Sequence, residues 1–349
     1  VAGQGSQTGR YLSALEREAE LYPDVRPDTL YVGGGTPSEL SAVELARLLA
    51  WVGRRFGSVA ALREATVEGN PESLGDDKLD ALRAGGVGRL SLGLQASQDR
   101  LLKSLGRRHS FADFARVYRN ARARGFDVSV DLMFGLPGQS RADARASLDE
   151  VLALEPEHLS LYSLQVEDRT LFGKREVEVD EDLARAVMEE SIDALAAAGY
   201  RHYEISNFAK PGKESVHNLN YWADGEYLGL GCGAAGRLGA ERWQNEDRLT
   251  TYLERVERGE RPVAHAEALE GREKLGETLM LGLRRREEGV PRCAREAEAF
   301  AAEIAALAAR GLLEYSGERL RLSREGVFLA NEVFREFVPP FESSETIPQ

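Results

Sequence analysis

The chain has 349 residues, 42% hydrophobic, 7% aromatic and 30% charged, with a mean hydropathy of −0.38. That suits a globular protein of two domains, or one large α/β barrel with an appendage, and excludes a chain disordered throughout. Lys and Arg number 45 against 58 Asp and Glu, a net charge of −13, which argues against binding nucleic acid through its phosphates. Two cysteines, Cys232 and Cys293, exclude a disulfide framework and cannot supply the thiolate set of an iron–sulfur cluster. No apolar run is long enough to span a bilayer and no signal peptide is present, so a cytoplasmic protein without a transmembrane segment is expected.

In chain order, short β-rich runs alternate with helical patterns. Helices are predicted over Tyr11–Leu21, Ser41–Phe56, Lys78–Ala84, Phe111–Arg124, Ala142–Leu154 and Asp182–Ala198. In Phe111–Arg124, for instance, Phe114, Val117 and Ala121 recur on one helix face. Strands are predicted at Leu30–Val32, Ala65–Val67, Leu90–Leu94, Val128–Phe134 and Leu159–Leu164, read as near-continuous apolar runs. That order implies a parallel sheet covered by helices, a βα barrel or a doubly wound sheet. Tyr200–Ser206 reads as a further strand, followed by a loop-rich aromatic stretch and a Glu/Arg-rich connector, Leu253–Arg261. Helices at Lys274–Arg286 and Ala297–Ala309, a hairpin of Leu312–Tyr315 and Leu320–Leu322, and a last helix capped by Ser323 outline a winged-helix-like module. The expected division is a barrel portion (1–199), a strand and loop-rich segment (200–262), the small α+β module (263–338) and a mobile tail (339–349).

Parallel α/β folds bind ligands at the carboxyl ends of their strands. Those ends carry Gly33-Gly34-Gly35-Thr36, then Glu68, Gln95, Asp131 and Gln165, with Arg107 shortly beyond Gln95. Consecutive glycines expose main-chain groups to a ligand. Glu68 suits the two hydroxyls of a ribose, and Arg107 suits a carboxylate. Together they describe a pocket for a nucleoside carrying an amino acid. Singly, each also reads as a tight turn, a surface carboxylate, a solvated arginine or a capping acid. Gly33–Ser38 is not a Walker loop, since no Gly-Lys-Ser/Thr follows, and Gly231–Gly236, although it fits G-x-G-x-x-G, opens no clear helix.

Five segments, LYVGGGTPSEL (30–40), VEGNPESL (67–74), LSLGLQ (90–95), LGRRH (105–109) and DLMFGLPGQ (131–139), resemble radical S-adenosylmethionine (SAM) proteins of the oxygen-independent coproporphyrinogen III oxidase family. YRHYEISNFA (200–209) and VHNLNYW (216–222) narrow the resemblance to HemW-type heme chaperones. The resemblance covers nearly the whole chain. It implies a partial radical-SAM barrel in which Gly34, Gly35 and Thr36 hold the methionyl end of SAM and Glu68 faces its ribose. Gln95, Arg107, Asp131 and Gln165 would complete that pocket. It also implies heme binding by His217 and Asn218, with Tyr221 and Trp222 offering flat faces to a porphyrin. The bland alternative is that His217 and Asn218 cap a loop above a core of Tyr221 and Trp222.

The family's CxxxCxxC loop, whose thiolates hold a [4Fe–4S] cluster, is absent. In the relatives it lies just upstream of the segment matching Tyr11–Leu21, so the loop and the first barrel strand are expected to precede Val1. Ala235, where relatives often have His, speaks against a role for Gly229–Gly236. The resemblance favours a chaperone delivering heme to acceptor proteins, with peripheral membrane contact an expectation of the family alone. The rival is coproporphyrinogen oxidation itself. A third reading, nucleic-acid binding through the C-terminal module, has only Arg284-Arg285-Arg286 in its favour.

Overall fold

The computed structural model of the protein describes residues 5–166, 171–174 and 177–339. The expected tail over 339–349 falls, but for Pro339, outside them. Strands β1 (Thr29–Val32), β2 (Glu64–Gly69), β3 (Arg89–Gln95), β4 (Asp127–Phe134) and β5 (His158–Ser163) are parallel. Two short strands, β6 (Arg201–His202) and β7 (Asn207–Ala209), add antiparallel pairs, giving the order β1-β2-β3-β4-β5-β7-β6.

The strands alternate rather than run apolar throughout, which corrects the expectation of near-continuous apolar runs. Val67, Leu90, Leu92, Leu94, Val128, Val130, Leu132, Leu159 and Leu161 point to one face and are buried there against the crossover helices. Full burial of each such side chain stabilises by about 1.5–3 kcal/mol. The intervening positions, among them Tyr31, Glu64, Thr66, Glu68, Ser91, Asp131 and Ser160, point to the other face. Helices therefore cover one side of the sheet, and the concave side is polar, as in an open βα barrel rather than a doubly wound sheet.

Three crossover helices, Ala42–Phe56, Phe111–Ala123 and Arg141–Leu152, begin with reciprocal caps in which Ser41, Ser110 and Ser140 exchange hydrogen bonds with Glu44, Asp113 and Asp143. The turns after two helices use Gly125 (φ +79°) and Gly199 (φ +85°), left-handed positions open to glycine.

The segment after residue 200 departs most from expectation. Tyr200–Ser206 is not one strand: β6 ends at His202, and the chain turns about a buried Glu204 whose carboxylate accepts from Ser206 N–H at 3.0 Å. The loop-rich stretch contains a helix, Val216–Trp222, and strands β8 (Ala235–Leu238), β9 (Glu241–Asn245) and β10 (Val263–Ala268) form a separate antiparallel sheet. The Glu/Arg-rich connector lies largely in a helix, Leu249–Glu257, that buries Tyr252, Leu253 and Val256 on one face. This helix packs on the first one, Gly5–Glu20, where Glu18 is fully buried. The Glu18 carboxylate accepts from Gly231 N–H (2.8 Å), Asn245 Nδ2 (2.6 Å) and Tyr252 OH (2.6 Å).

The C-terminal module has its own core, with Leu279, Leu283, Phe300, Ile304, Leu320, Val333 and Phe337 at its centre. Strands β11 (Val290–Pro291), β12 (Leu313–Ser316) and β13 (Arg319–Leu322) pair in the order β11-β13-β12. Two helices expected whole are broken. Arg295–Ala299 and Ala301–Ala309 meet at Phe300, and Arg324–Phe328 and Ala330–Arg335 meet at Leu329. Ser323 caps as expected, accepting from Gly326 N–H at 2.9 Å.

Candidate functional site

Where β1 ends, the chain runs through the triple glycine beside the end of β2. A Cβ on Gly33 would lie 2.6 Å from the Tyr31 ring and 2.8 Å from the Glu68 carboxyl, so a side chain there would have to displace one of them. Gly34 takes φ +97° and its N–H donates to Glu68 Oε2 at 3.2 Å, while Tyr31 OH donates to Oε1 at 2.7 Å. Burial first, and Glu68 second, push the Tyr31 phenol well above its usual range, so it remains a donor. Thr36 precedes a short turn at Pro37–Glu39.

At the end of β3 the register slips between Gly93 and Gln95, and Gln95 takes φ +74°, a left-handed conformation that costs a non-glycine residue. The slip aims its amide back over Gly93. A Cβ there would meet Gln95 Nε2 at 2.9 Å, Asn70 Oδ1 at 3.4 Å and Arg107 Nη2 at 3.7 Å. Arg107 Nη1 donates to Asn70 Oδ1 at 2.7 Å, and the buried His109 pairs with Glu72 at 2.7 Å, so two contacts tie residues 107–109 to the loop after β2. Asp131 lies across the same face, accepting from Ser91 Oγ at 3.2 Å. Burial raises its carboxyl to about 6, against the opposing hydrogen bond from Ser160.

Glu68, Gln95, Arg107 and Asp131 thus converge on one end of the concave face, with Gly34, Gly35 and Thr36 at its margin. Gln165 stands exposed beyond β5. Sequence reasoning missed Tyr31 and Asn70. No local signal marked them, since Tyr31 takes its role from Glu68 on the neighbouring strand and Asn70 from Arg107 beyond β3.

The second group lies at the other end of β1. Helix Val216–Trp222 is anchored by Glu64, which accepts from Ser215 Oγ (3.1 Å), Val216 N–H (2.9 Å) and His217 N–H (3.2 Å). His217 Nδ1 contacts Thr29 Oγ1 at 2.8 Å and Nε2 contacts Tyr221 OH at 2.8 Å, while its ring stacks on Tyr31 at 5.2 Å and 19°. Burial holds the imidazole below its usual pKa, favouring the neutral ring. The helix separates the expected residues. His217 and Tyr221, one turn apart, border a cavity of about 1460 Å³ that also reaches Tyr31 and Gly33–Thr36. Asn218 and Trp222 do not line it: Asn218 N–H is capped by Ser215 Oγ, and the Trp222 ring lies 4.3 Å from the Arg284 guanidinium.

Among the described residues no three His, Cys, Asp or Glu side chains are grouped to hold a metal. Cys232 and Cys293 lie in different parts of the fold, so the residues present do not fit a [4Fe–4S] cluster. Gly231–Gly236 opens no helix: Gly231 (φ +114°) hydrogen-bonds Glu18, and a Cβ on Gly236 would lie 2.2 Å from Trp243. Packing explains that run without a dinucleotide.

The radical SAM superfamily model matches residues 3–151. Over 96% of this chain and 93% of the relative, the sequence is 36% identical to the heme chaperone HemW of Bacillus subtilis. It is 39% identical to that of Mycobacterium tuberculosis over 95% of this chain and 87% of the relative. The chain belongs to the HemW family. The HemW resemblance drawn from YEISNFA and HNLNYW is therefore borne out, and membership of the radical SAM superfamily implies SAM and a [4Fe–4S] cluster. Coproporphyrinogen III oxidase (HemN) from Escherichia coli, a radical SAM enzyme, shares the fold with a TM-score of 0.84 over 97% of this chain and 84% of that one, at 24% identity. No helix among the described residues is long and apolar enough to cross a membrane.

Proposed function

We propose that this chain is a heme-binding chaperone on a radical-SAM scaffold, with His217 as the donor to heme iron and the glycine-loop end of the concave face as the SAM cradle. The carrying observation is the shared cavity: a neutral imidazole and the Gly33–Thr36 loop open into one space of about 1460 Å³. The relatives' shared name, heme chaperone, supports the same reading.

In the cradle, Gly34 and Gly35 present main chain without Cβ atoms and Thr36 adds a hydroxyl. Glu68 would accept from ribose hydroxyls, Arg107 would pair a carboxylate, and Gln95 and Asp131 would supply the remaining polar contacts. SAM, when bound, supplies the adenosyl sulfonium. At the other end His217 Nδ1 meets Thr29 Oγ1 and Nε2 meets the Tyr221 hydroxyl; in the tautomer that donates from Nδ1, the Nε2 lone pair faces that hydroxyl. Release of that hydroxyl bares a neutral nitrogen donor held in a fixed plane by Tyr31. Tyr221 would then offer a flat face to the porphyrin, whereas Trp222 packs against Arg284 behind the helix. Heme passes from this pocket to acceptor proteins.

The test is heme titration followed by absorbance. His217→Ala is expected to weaken binding at least tenfold and abolish the imidazole-type spectrum. Unchanged affinity and spectrum would remove His217 from the site.

A further inference from the structure

Tyr31 belongs to both halves of the site. Its hydroxyl donates to Glu68 Oε1 at 2.7 Å, and its ring lies nearly parallel to His217 at 5.2 Å and 19°. On either side the partners are otherwise fixed. Glu68 Oε2 accepts from Gly34 N–H, and both nitrogens of His217 are engaged, by Thr29 and by Tyr221. One residue, on the four-residue edge strand β1, is therefore in contact with the carboxylate that would take a ribose and with the imidazole that would take iron.

We infer that Tyr31 is a positioning residue that couples the two ligands, so that an adenosyl ligand at Glu68 weakens heme binding at His217, and heme weakens adenosyl binding by the same factor. The inference rests on the heme and SAM reading above. Its physical basis is competition for one acceptor. A ribose diol brings two hydroxyl donors to a carboxylate whose oxygens already accept from Tyr31 and Gly34. A ribose hydroxyl that takes the place of Tyr31 on Oε1 removes the bond that pins the phenol. The ring pressed on His217 is released with it, and the imidazole plane becomes less well held. Because linkage is reciprocal, the bond heme needs intact is the bond the nucleoside disrupts. The two arrangements of Tyr31, donating to Glu68 or displaced from it, are the two states that both ligands bias.

The experiment uses the protein itself, with heme affinity read from absorbance in the absence and presence of SAM at a concentration shown by equilibrium dialysis to occupy it. Wild type is expected to bind heme at least roughly fivefold more weakly when SAM is present, at the lower end of ordinary coupling strengths. Tyr31→Phe keeps the ring and removes the hydroxyl. It is expected to bind heme without SAM about as weakly as SAM-loaded wild type, and to show no further change on adding SAM. Equal heme affinity with and without bound SAM in wild type, or the same SAM effect in Tyr31→Phe as in wild type, overturns the coupling and leaves the chaperone reading standing. Failure of wild type to bind heme at all overturns the chaperone reading and this inference with it. A coupling that merely reflects altered folding is separated by circular dichroism and by Tyr31→Trp, which keeps a ring and a donor and should restore part of the SAM effect.

Discussion

Asp131 carries a measurable pH signature. Its native carboxyl titrates near 6, above the roughly 3.9 of an unfolded aspartate, because burial penalises the charge. The folded chain therefore holds a proton that the unfolded chain releases. The stability this confers is complete below pH ~4, fades as pH rises through about 6 and is gone above it. Asp131→Asn removes the buried charge. Urea unfolding should show it more stable than wild type at pH 7, by up to about 3 kcal/mol, with the gap closing toward pH 4. SAM binding should fall in the same variant. Glu68, Gln95 and Asp131 were legible because strand ends and glycine turns can be read from composition. Tyr31 and Asn70 were not, since their roles depend on which strand lies beside which, and a single sequence carries no register.

At the scale of the element, the helix Val216–Trp222 is held by one acid. Glu64 accepts from Ser215 and from two backbone N–H groups, and sits 4.0 Å from the buried Arg89. Glu64→Ala leaves those donors and that cation without their partner, a change expected to cost about 3 kcal/mol in urea unfolding. It should also weaken heme binding, because His217 loses its backbone anchor. On the opposite side of the sheet, Leu92 is fully buried, and Leu92→Ala should cost about 2–5 kcal/mol with no selective effect on ligand affinity. Helix positions were legible from periodicity and from glycine stops such as Gly125. The antiparallel sheet of β8, β9 and β10 was not. Gly236 and Trp243 meet because the antiparallel register sets them opposite each other, and nothing local in AGRL or ERWQN alternates strongly enough to announce a strand. The breaks at Phe300 and Leu329 were also hidden, since both residues are apolar and neither is a helix breaker.

Across the whole molecule, buried and exposed contacts between distant segments differ in weight. Glu18 joins the first helix to Gly231, Asn245 and Tyr252 without access to water. Glu18→Ala strands those donors and should lower stability by about 3 kcal/mol or more, measured by urea unfolding. The exposed pairs Arg185–Glu325 and Arg324–Asp193, which link the helix Glu181–Ala197 to the C-terminal module, should prove dispensable. An Arg185→Ala/Arg324→Ala variant is expected to unfold within experimental error of wild type. The floor of the concave face is wired differently: Ser129 contacts His158 Nδ1, His158 Nε2 contacts Tyr203 OH, and that hydroxyl accepts from Ser215 N–H. Above this floor, the serines, threonines and acids lining the hollow of the sheet take no part in the greasy layer that makes the chain fold. Chemistry and architecture are thereby written on opposite sides of the same strands, so a lineage is free to rewrite what the hollow grips, one side chain at a time, while the scaffold behind it keeps its shape.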